Sequence, residues 1–541
     1  MRLLLCIVGL AAFPCFSPSE DYTIRTESHT GIVNGVLFAQ QDSKVISFGN
    51  DGSIRLGDAS ADYEQEVIFS QQVDGSSGKI YCGDVSPDGE WLAFAGYDSG
   101  WGIRLLHIPT RKVLLSLGGH RSSITALAFS ADGSQLVSGD FRGEIRVWKM
   151  NLEGVDLSSD RPTRVVNSIK IVGHESPIYG VKFSPEANYL VSACDSGVIK
   201  IWEQLGSLFI EFASLLEHRK GVRSLDYSPN GKLIASGGVD RKLLLWDATT
   251  GTLLNELSAD MGNTVSSVKF SPESDRLFAS SQGATVGQIA IFTVPTGEEI
   301  LRFTEHDNLV TAVDWSSDGG KIVSAGGNEF PVLMWDSSSG EVIANSSGGG
   351  QSVGAVGFAK QGALRLGIGF SSTPVEEFLR WPALMTSFDF RTFSVEKIDQ
   401  TKDAQMEFRQ RILQDEKGIF KMSKRDDNRL SAGVWKLYFD PSMIGRITTY
   451  SYSADQRKAI VGGDFALLKE YFPTDQTLGR SPKRIFFKGH AARIRAVSPS
   501  PDGRYLASVA DDQTTRLWNI ETAELLLTIF LTKNGSWVAW N

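Results

Sequence analysis

Residues 218–247 read HRKGVRSLDYSPNGKLIASGGVDRKLLLWD. Val222, Ser224 and Asp226 alternate with Arg223, Leu225 and Tyr227, the two-residue period of a strand. Ser228-Pro229-Asn230-Gly231 follows as a turn, because proline presets φ and Asn-Gly tolerates the left-handed region. Residues 233–236 read as a second short strand, 242–246 as a third and 252–256 as a fourth, with Gly237-Gly238 turning the chain between the second and third.

The same unit recurs along the 541 residues. Six of the seven histidines have a serine 18 residues downstream: His29/Ser47, His120/Ser138, His174/Ser192, His218/Ser236, His306/Ser324 and His490/Ser508. Four of these also have a tryptophan 28 residues downstream, namely Trp148, Trp202, Trp246 and Trp518. The turn recurs as Ser86-Pro87-Asp88-Gly89, Ala131-Asp132-Gly133 and Ser500-Pro501-Asp502-Gly503. Fixed spacing of this kind is the mark of a repeated supersecondary unit, here about 44 residues long. One four-stranded sheet cannot bury both its faces. Setting such sheets radially buries each face on its neighbour. The fold class is therefore all-β.

The bulk numbers bound the function. Net charge is −9 and no basic stripe occurs, so nucleic acid is not an expected partner. No CxxC pair, HExxH, Walker loop or dinucleotide fingerprint is present, and no cofactor or metal is expected. Cys6 and Cys15 fall in a leader, residues 1–20, whose apolar run from Leu3 to Phe13 follows Arg2. That run is too short for a transmembrane segment and fits a signal peptide, so export is expected. A mis-called start would instead leave the chain in the cytoplasm.

His218, Ser236, Asp240 and Trp246, like His490, Ser508, Asp512 and Trp518, resemble the WD40-repeat family, as do the Gly-His starts and Trp-Asp end. The resemblance covers nearly all the chain after residue 20. It implies a β-propeller in which each blade carries a buried chain of hydrogen bonds, Trp to Ser to His to Asp. His29, Ser47 and Asp51 lack the tryptophan, because Gly57 stands in its place. Arg142 and Ser196 stand where two other blades need the acid. In a further blade Asn328 is a stand-in for it, and Trp335 is displaced by one residue.

Units begin near 29, 77, 119, 173, 217, 262, 305, 350, 435 and 489. The expected organisation is a ring of about seven blades over 21–346 and an incomplete second set over 347–541. Residues 151–167 read as a polar excursion between blades. A charged insertion near 396–428 has helical spacing at Phe408 and Ile412. The tail GSWVAWN reads as the opening of a blade that does not complete. It resembles the propeller region of bacterial WD40 proteins sometimes linked to caspase-like peptidases.

Repeated Ser/His pairs do not make an enzyme. A catalytic triad is one constellation with an exposed nucleophile and an oxyanion hole, whereas here the pattern recurs blade by blade. Gly350-Gln351-Ser352-Val353-Gly354 matches GxSxG, but a strand-like run follows it instead of a helix. Cys194 sits at an ordinary repeat position. An enzyme site in the propeller channel would need a cluster of carboxylates or metal ligands on the inner strands, which the alternation does not show. The resemblance implies a non-catalytic scaffold binding a protein or peptide on the face near the blade histidines. Asn50, Ser123, Phe141, Arg142, Asp195, Val239, Arg493 and Asp511 are the expected contact positions. The alternative is a sensor module for a caspase-like or other effector encoded separately or lost.

Overall fold

The computed structural model describes residues 29–346 apart from 30, 61–64, 72–77, 98–101, 160, 258–263, 282–287, 307–309 and 327–330. It also describes the strands between 353 and 471, and residues 484–540 apart from 491, 492, 501 and 532–536. The leader, Asn328, Ser352 and the helical spacing around Phe408 lie outside the described residues. Every regular element described is a strand.

The chain divides into two compact units. The first holds residues 27–72 and 77–348. Within it, seven antiparallel sheets, blades 1 to 7, follow one another over 33–70, 79–117, 124–172, 178–215, 222–257, 265–303 and 310–345. Each blade's first strand packs beside that of the next, and Val310–Trp315 of blade 7 packs beside Val33–Ala39 of blade 1. The core lies between blades rather than inside them. Ile199 and Ile201 of blade 4 meet Val222, Leu225 and Leu244 of blade 5, all buried. Removing one such side chain from water stabilises by about 2 kcal/mol.

The turn read from residues 228–231 forms as its chemistry requires. The Gly231 N–H donates to the Ser228 carbonyl at 2.9 Å, and φ of +73° at Gly231 is open to glycine at no steric cost. The Leu233 N–H donates to the Ser228 hydroxyl at 2.8 Å, so the turn also tethers the second strand.

The inner strands carry charged residues in register. Asp84, Lys182, Asp226, Lys269 and Asp314 occupy the same position on five successive or near-successive first strands. Three of these are carboxylates. They are committed to joining blades. Asp84 accepts from the Phe129 N–H at 2.8 Å, Asp226 from Phe270 at 2.9 Å and Asp314 from Phe38 at 2.8 Å. Asp314 also accepts from Lys269. The Phe38 bond joins blades 7 and 1. Thr311 adds a second link there by donating to the Val33 carbonyl.

Further readings change. The excursion after blade 3's third strand is not wholly irregular: Thr163–Val165 pairs parallel with Lys112–Leu117 and becomes a fifth strand of blade 2. Leu152, Val155 and Val165 pack against that blade's core.

The second unit, residues 349–541, holds four sheets spanning 353–397, 421–438, 447–487 and 494–540. A three-stranded sheet thus lies within and beyond the expected insertion, and the blade expected from 435 begins at Ile447. Trp537–Trp540 does not open a new blade. It pairs antiparallel with Leu525–Leu531 as the fifth strand of the last sheet.

Candidate functional site: the rim of the blade histidines

The implied hydrogen-bond chain is complete in blade 5. The Trp246 indole N–H donates to the Ser236 hydroxyl at 2.8 Å, and Ser236 donates to His218 Nε2 at 2.8 Å. His218 Nδ1 faces both Asp240 carboxylate oxygens at 3.0 Å. A carboxylate only accepts, so the ring proton sits on Nδ1 and Nε2 is left as the acceptor. The last sheet repeats this through Trp518, Ser508, His490 and Asp512, at 2.7, 2.8 and 2.8 Å.

The incomplete blades keep the function of the missing residue by other means. In blade 1 the Gln65 amide donates to Ser47 at 3.1 Å, where Gly57 offers no indole. In blade 7 the displaced Trp335 still reaches Ser324 at 3.0 Å. In blade 3 the acid is Asp140, two residues before Arg142, at 3.0 Å from His120 Nδ1. Arg142 therefore does not stand in for the acid and is free to face solvent.

In blade 4 the position matching Asp140 is Cys194, and Trp202 and His174 both reach Ser192, at 2.8 and 2.7 Å. Burial pushes the Cys194 thiol up, but hydrogen bonds from His174, Ser176 and Ser196 outweigh it and bring it down to about 6. Cys194, 1 % exposed, fills the acid's place in the blade.

None of this is nucleophilic machinery. The serines of these six pairs are all fully buried, and in four blades the hydroxyl is already engaged by an indole. Val353–Phe358, after the GxSxG match, is a strand. His107 stacks on Trp91 and its Nδ1 lies 2.9 Å from the Thr110 hydroxyl. Among the described residues no group of three or more His, Cys, Asp or Glu is set to hold a metal. No described helix is long and apolar enough to cross a membrane.

The expected contact positions fall at one recurring place. The backbone N–H of Asn50, Phe141, Asp195, Val239 and Asp511 each donates across the blade's leading edge, to Ile32, Ser123, Pro177, Gly221 and Arg493 respectively, at 2.8–2.9 Å. Each is thus held rigidly beside the loop that follows its blade's histidine position. Asn50, Ser123, Phe141, Arg142, Asp195 and Val239 share the first unit, while Arg493 and Asp511 belong to the second. Phe141, Arg142 and Asp195 are exposed, Asn50, Val239 and Arg493 half-buried. Ser123 and Asp511 are buried, and Asp511 is paired with Arg495. These last two support the rim rather than present a side chain to it. Sequence reasoning missed Arg223, whose guanidinium stacks 4.2 Å from the Tyr179 ring centre and bonds Asp195 at 2.9 Å.

The family model described as "WD domain, G-beta repeat" matches residues 111–149, 166–203, 211–247, 297–329 and 481–519. Similar curated proteins include "Cell division cycle 20.1, cofactor of APC complex" from Arabidopsis thaliana, 27% identical over 54% of this chain and 61% of that one. "Nuclear distribution protein nudF" from Aspergillus niger is 28% identical over 48% of this chain and 49% of its own. "Protein FIZZY-RELATED 1" from Arabidopsis thaliana is 30% identical over 44% of this chain and half of its own. The chain spans less than two thirds of the length of each of these relatives. Each matched repeat runs from the last strand of one sheet through the first strands of the next, and two of them end on a complete buried Trp–Ser–His–Asp chain, which leads to one assignment: the matched stretches are WD40 repeats.

Proposed function

We propose that this chain is a non-catalytic interaction platform. Its first unit holds a protein or peptide partner on the rim beside the blade histidines. The observation that carries the reading is Phe141, 54 % exposed at the tip of a loop whose base is fixed by Asp140 and by the Ser123 carbonyl. A large apolar side chain held in water by a rigid frame costs little to bury on a partner, and aromatic and arginine residues dominate binding hot spots. One relative is named a cofactor of a complex, which supports a role in assembly. Export, carried by residues 3–13, belongs to the same proposal, as does the division into a seven-sheet ring and a second set. The alternative of a sensor for a caspase-like effector rests on the tail alone. Affinity capture from native extract tests the platform, with the whole chain as bait beside the Phe141→Ala/Arg142→Ala variant. A partner held by the first and lost by the folded second supports it. A partner held equally by both places binding elsewhere.

A further inference from the structure

The rim over blades 3 to 5 carries a run of exposed cations. Arg121, Arg142, Arg219, Lys220 and Arg241 are exposed there, and none makes an ion pair among the described residues. Several cations on the blade flanks are paired instead: Lys44 with Asp58, Arg111 with Glu66, Lys200 with Glu211 and Lys242 with Glu256. The exposed anions on the same rim are Glu175 and Glu217, together with Asp195, which is already engaged by Arg223. Five unpaired cations against two unpaired anions make a positive patch on a chain of net charge −9.

These loops lie side by side. Gly143 packs on the carbonyls of His174 and Ser176, and Gly197 packs on those of His218 and Lys220. The loop holding Phe141 and Arg142 therefore adjoins the start of blade 4, and the loop after Cys194 adjoins Arg219 and Lys220. Three apolar side chains stand in the same strip. Phe141 lies at the blade 3 loop, Val172 (76 % exposed) ends that blade's outer strand, and Leu216 (67 % exposed) follows the end of the outer strand of blade 4.

We infer that the partner segment held by this rim is an acidic stretch of protein that carries bulky apolar residues. The inference rests on the platform reading and names the chemistry it recognises. Carboxylates meet unpaired guanidinium groups, which bind them with two parallel hydrogen bonds, while apolar side chains cover Phe141, Val172 and Leu216. Complementary charge of this kind sets specificity and association rate. A nucleic acid fits less well. Glu175 and Glu217 interrupt the cationic strip, and valine and leucine give bases no stacking surface.

The test uses the full chain and three fluorescein-labelled probes in a polarisation titration. One probe is a peptide alternating Glu with Leu and Phe, one is the same peptide with Gln for Glu, and one is a single-stranded oligonucleotide of equal length. The acidic peptide is expected to bind about tenfold more tightly than its Gln counterpart. Arg142→Glu/Arg219→Glu is expected to abolish that preference, whereas Lys232→Glu, on the opposite turn, leaves it. Raising salt from about 0.05 to about 0.3 M is expected to weaken it. Equal binding of the two peptides, both lost in Phe141→Ala, overturns the acidic assignment and leaves the platform standing. Tighter binding of the oligonucleotide, or no binding of either peptide, also overturns it. The platform itself is then judged separately by capture with the Phe141→Ala/Arg142→Ala bait.

Discussion

Replacing Ser236 by alanine removes the hub of the blade 5 network. Two buried groups lose their partner at once, the Trp246 indole N–H and His218 Nε2. Each buried polar group left unpaired costs about 1–3 kcal/mol, so the substitution costs about 2–6 kcal/mol. Blade 3 supplies the control. There the Trp148 indole N–H has no partner, so Ser138→Ala strands His120 Nε2 alone. Its cost is about 1–3 kcal/mol. Ser138 and Ser236 are both fully buried, and the same oxygen is deleted, so the packing terms nearly cancel. The difference reads the Trp–Ser bond. Native-state hydrogen exchange on the whole chain, followed on peptides within 124–149 and 222–257, measures each blade locally. Equal losses in the two blades, or a larger loss in blade 3, would refute the reasoning.

Other consequences are as direct. Asp140→Ala is expected to destabilise blade 3 by about 1–3 kcal/mol in the same exchange experiment, while Arg142→Ala leaves its protection unchanged. Asp314→Ala orphans the Phe38 N–H and frees Lys269; the resulting loss of protection should centre on blades 7 and 1, and a loss spread evenly over all blades would count against ring closure there. The pH response follows from the networks. Burial lowers His218 and His490 below the ordinary 6.5, with Asp240 and Asp512 only partly offsetting it. Burial raises Asp51 and Asp512, but their histidines and neighbouring arginines reverse this and hold both well below the usual carboxylate range. In both cases the unfolded chain binds more protons as pH falls, so stability is present above the unfolded values and lost below them. Burial of Asp226, raised by it, works in the opposite sense. Thermal midpoints should fall from pH about 6.5 downwards; a midpoint higher at pH 5 than at 7 would contradict this.

Much of the fold was legible because the repeat carries its own markers. His218, Ser236, Asp240 and Trp246 stand at fixed intervals, and the turn at 228–231 has only one economical conformation. Legibility ended where a seat is filled by a residue off register. Asp140 takes the acid's place from two positions early, and Gln65 reaches Ser47 from a different strand, which no interval within one strand reveals. The carboxylates of the inner strands were hidden for another reason. Asp84, Asp226 and Asp314 each alternate correctly within their own strand, and only superposing the repeats shows them sharing one position. Thr163–Val165 and Trp537–Trp540 join outer edges of sheets, a choice made by the edge that is open and not by the strand itself. The site was legible in part. Phe141 and Arg142 were found by register, but burial of Ser123 and Asp511, and the Arg223 stack on Tyr179, depend on side chains of neighbouring strands.

The most direct test of the platform is a hydrogen-exchange footprint of the full chain with the partner recovered by capture. Protection should gather on the loops at 121–123, 141–143, 175–177, 195–197 and 219–221, with the strands between them unchanged. Protection on the opposite turns at 185–188 and 229–232, or along the outer strands, would contradict the account.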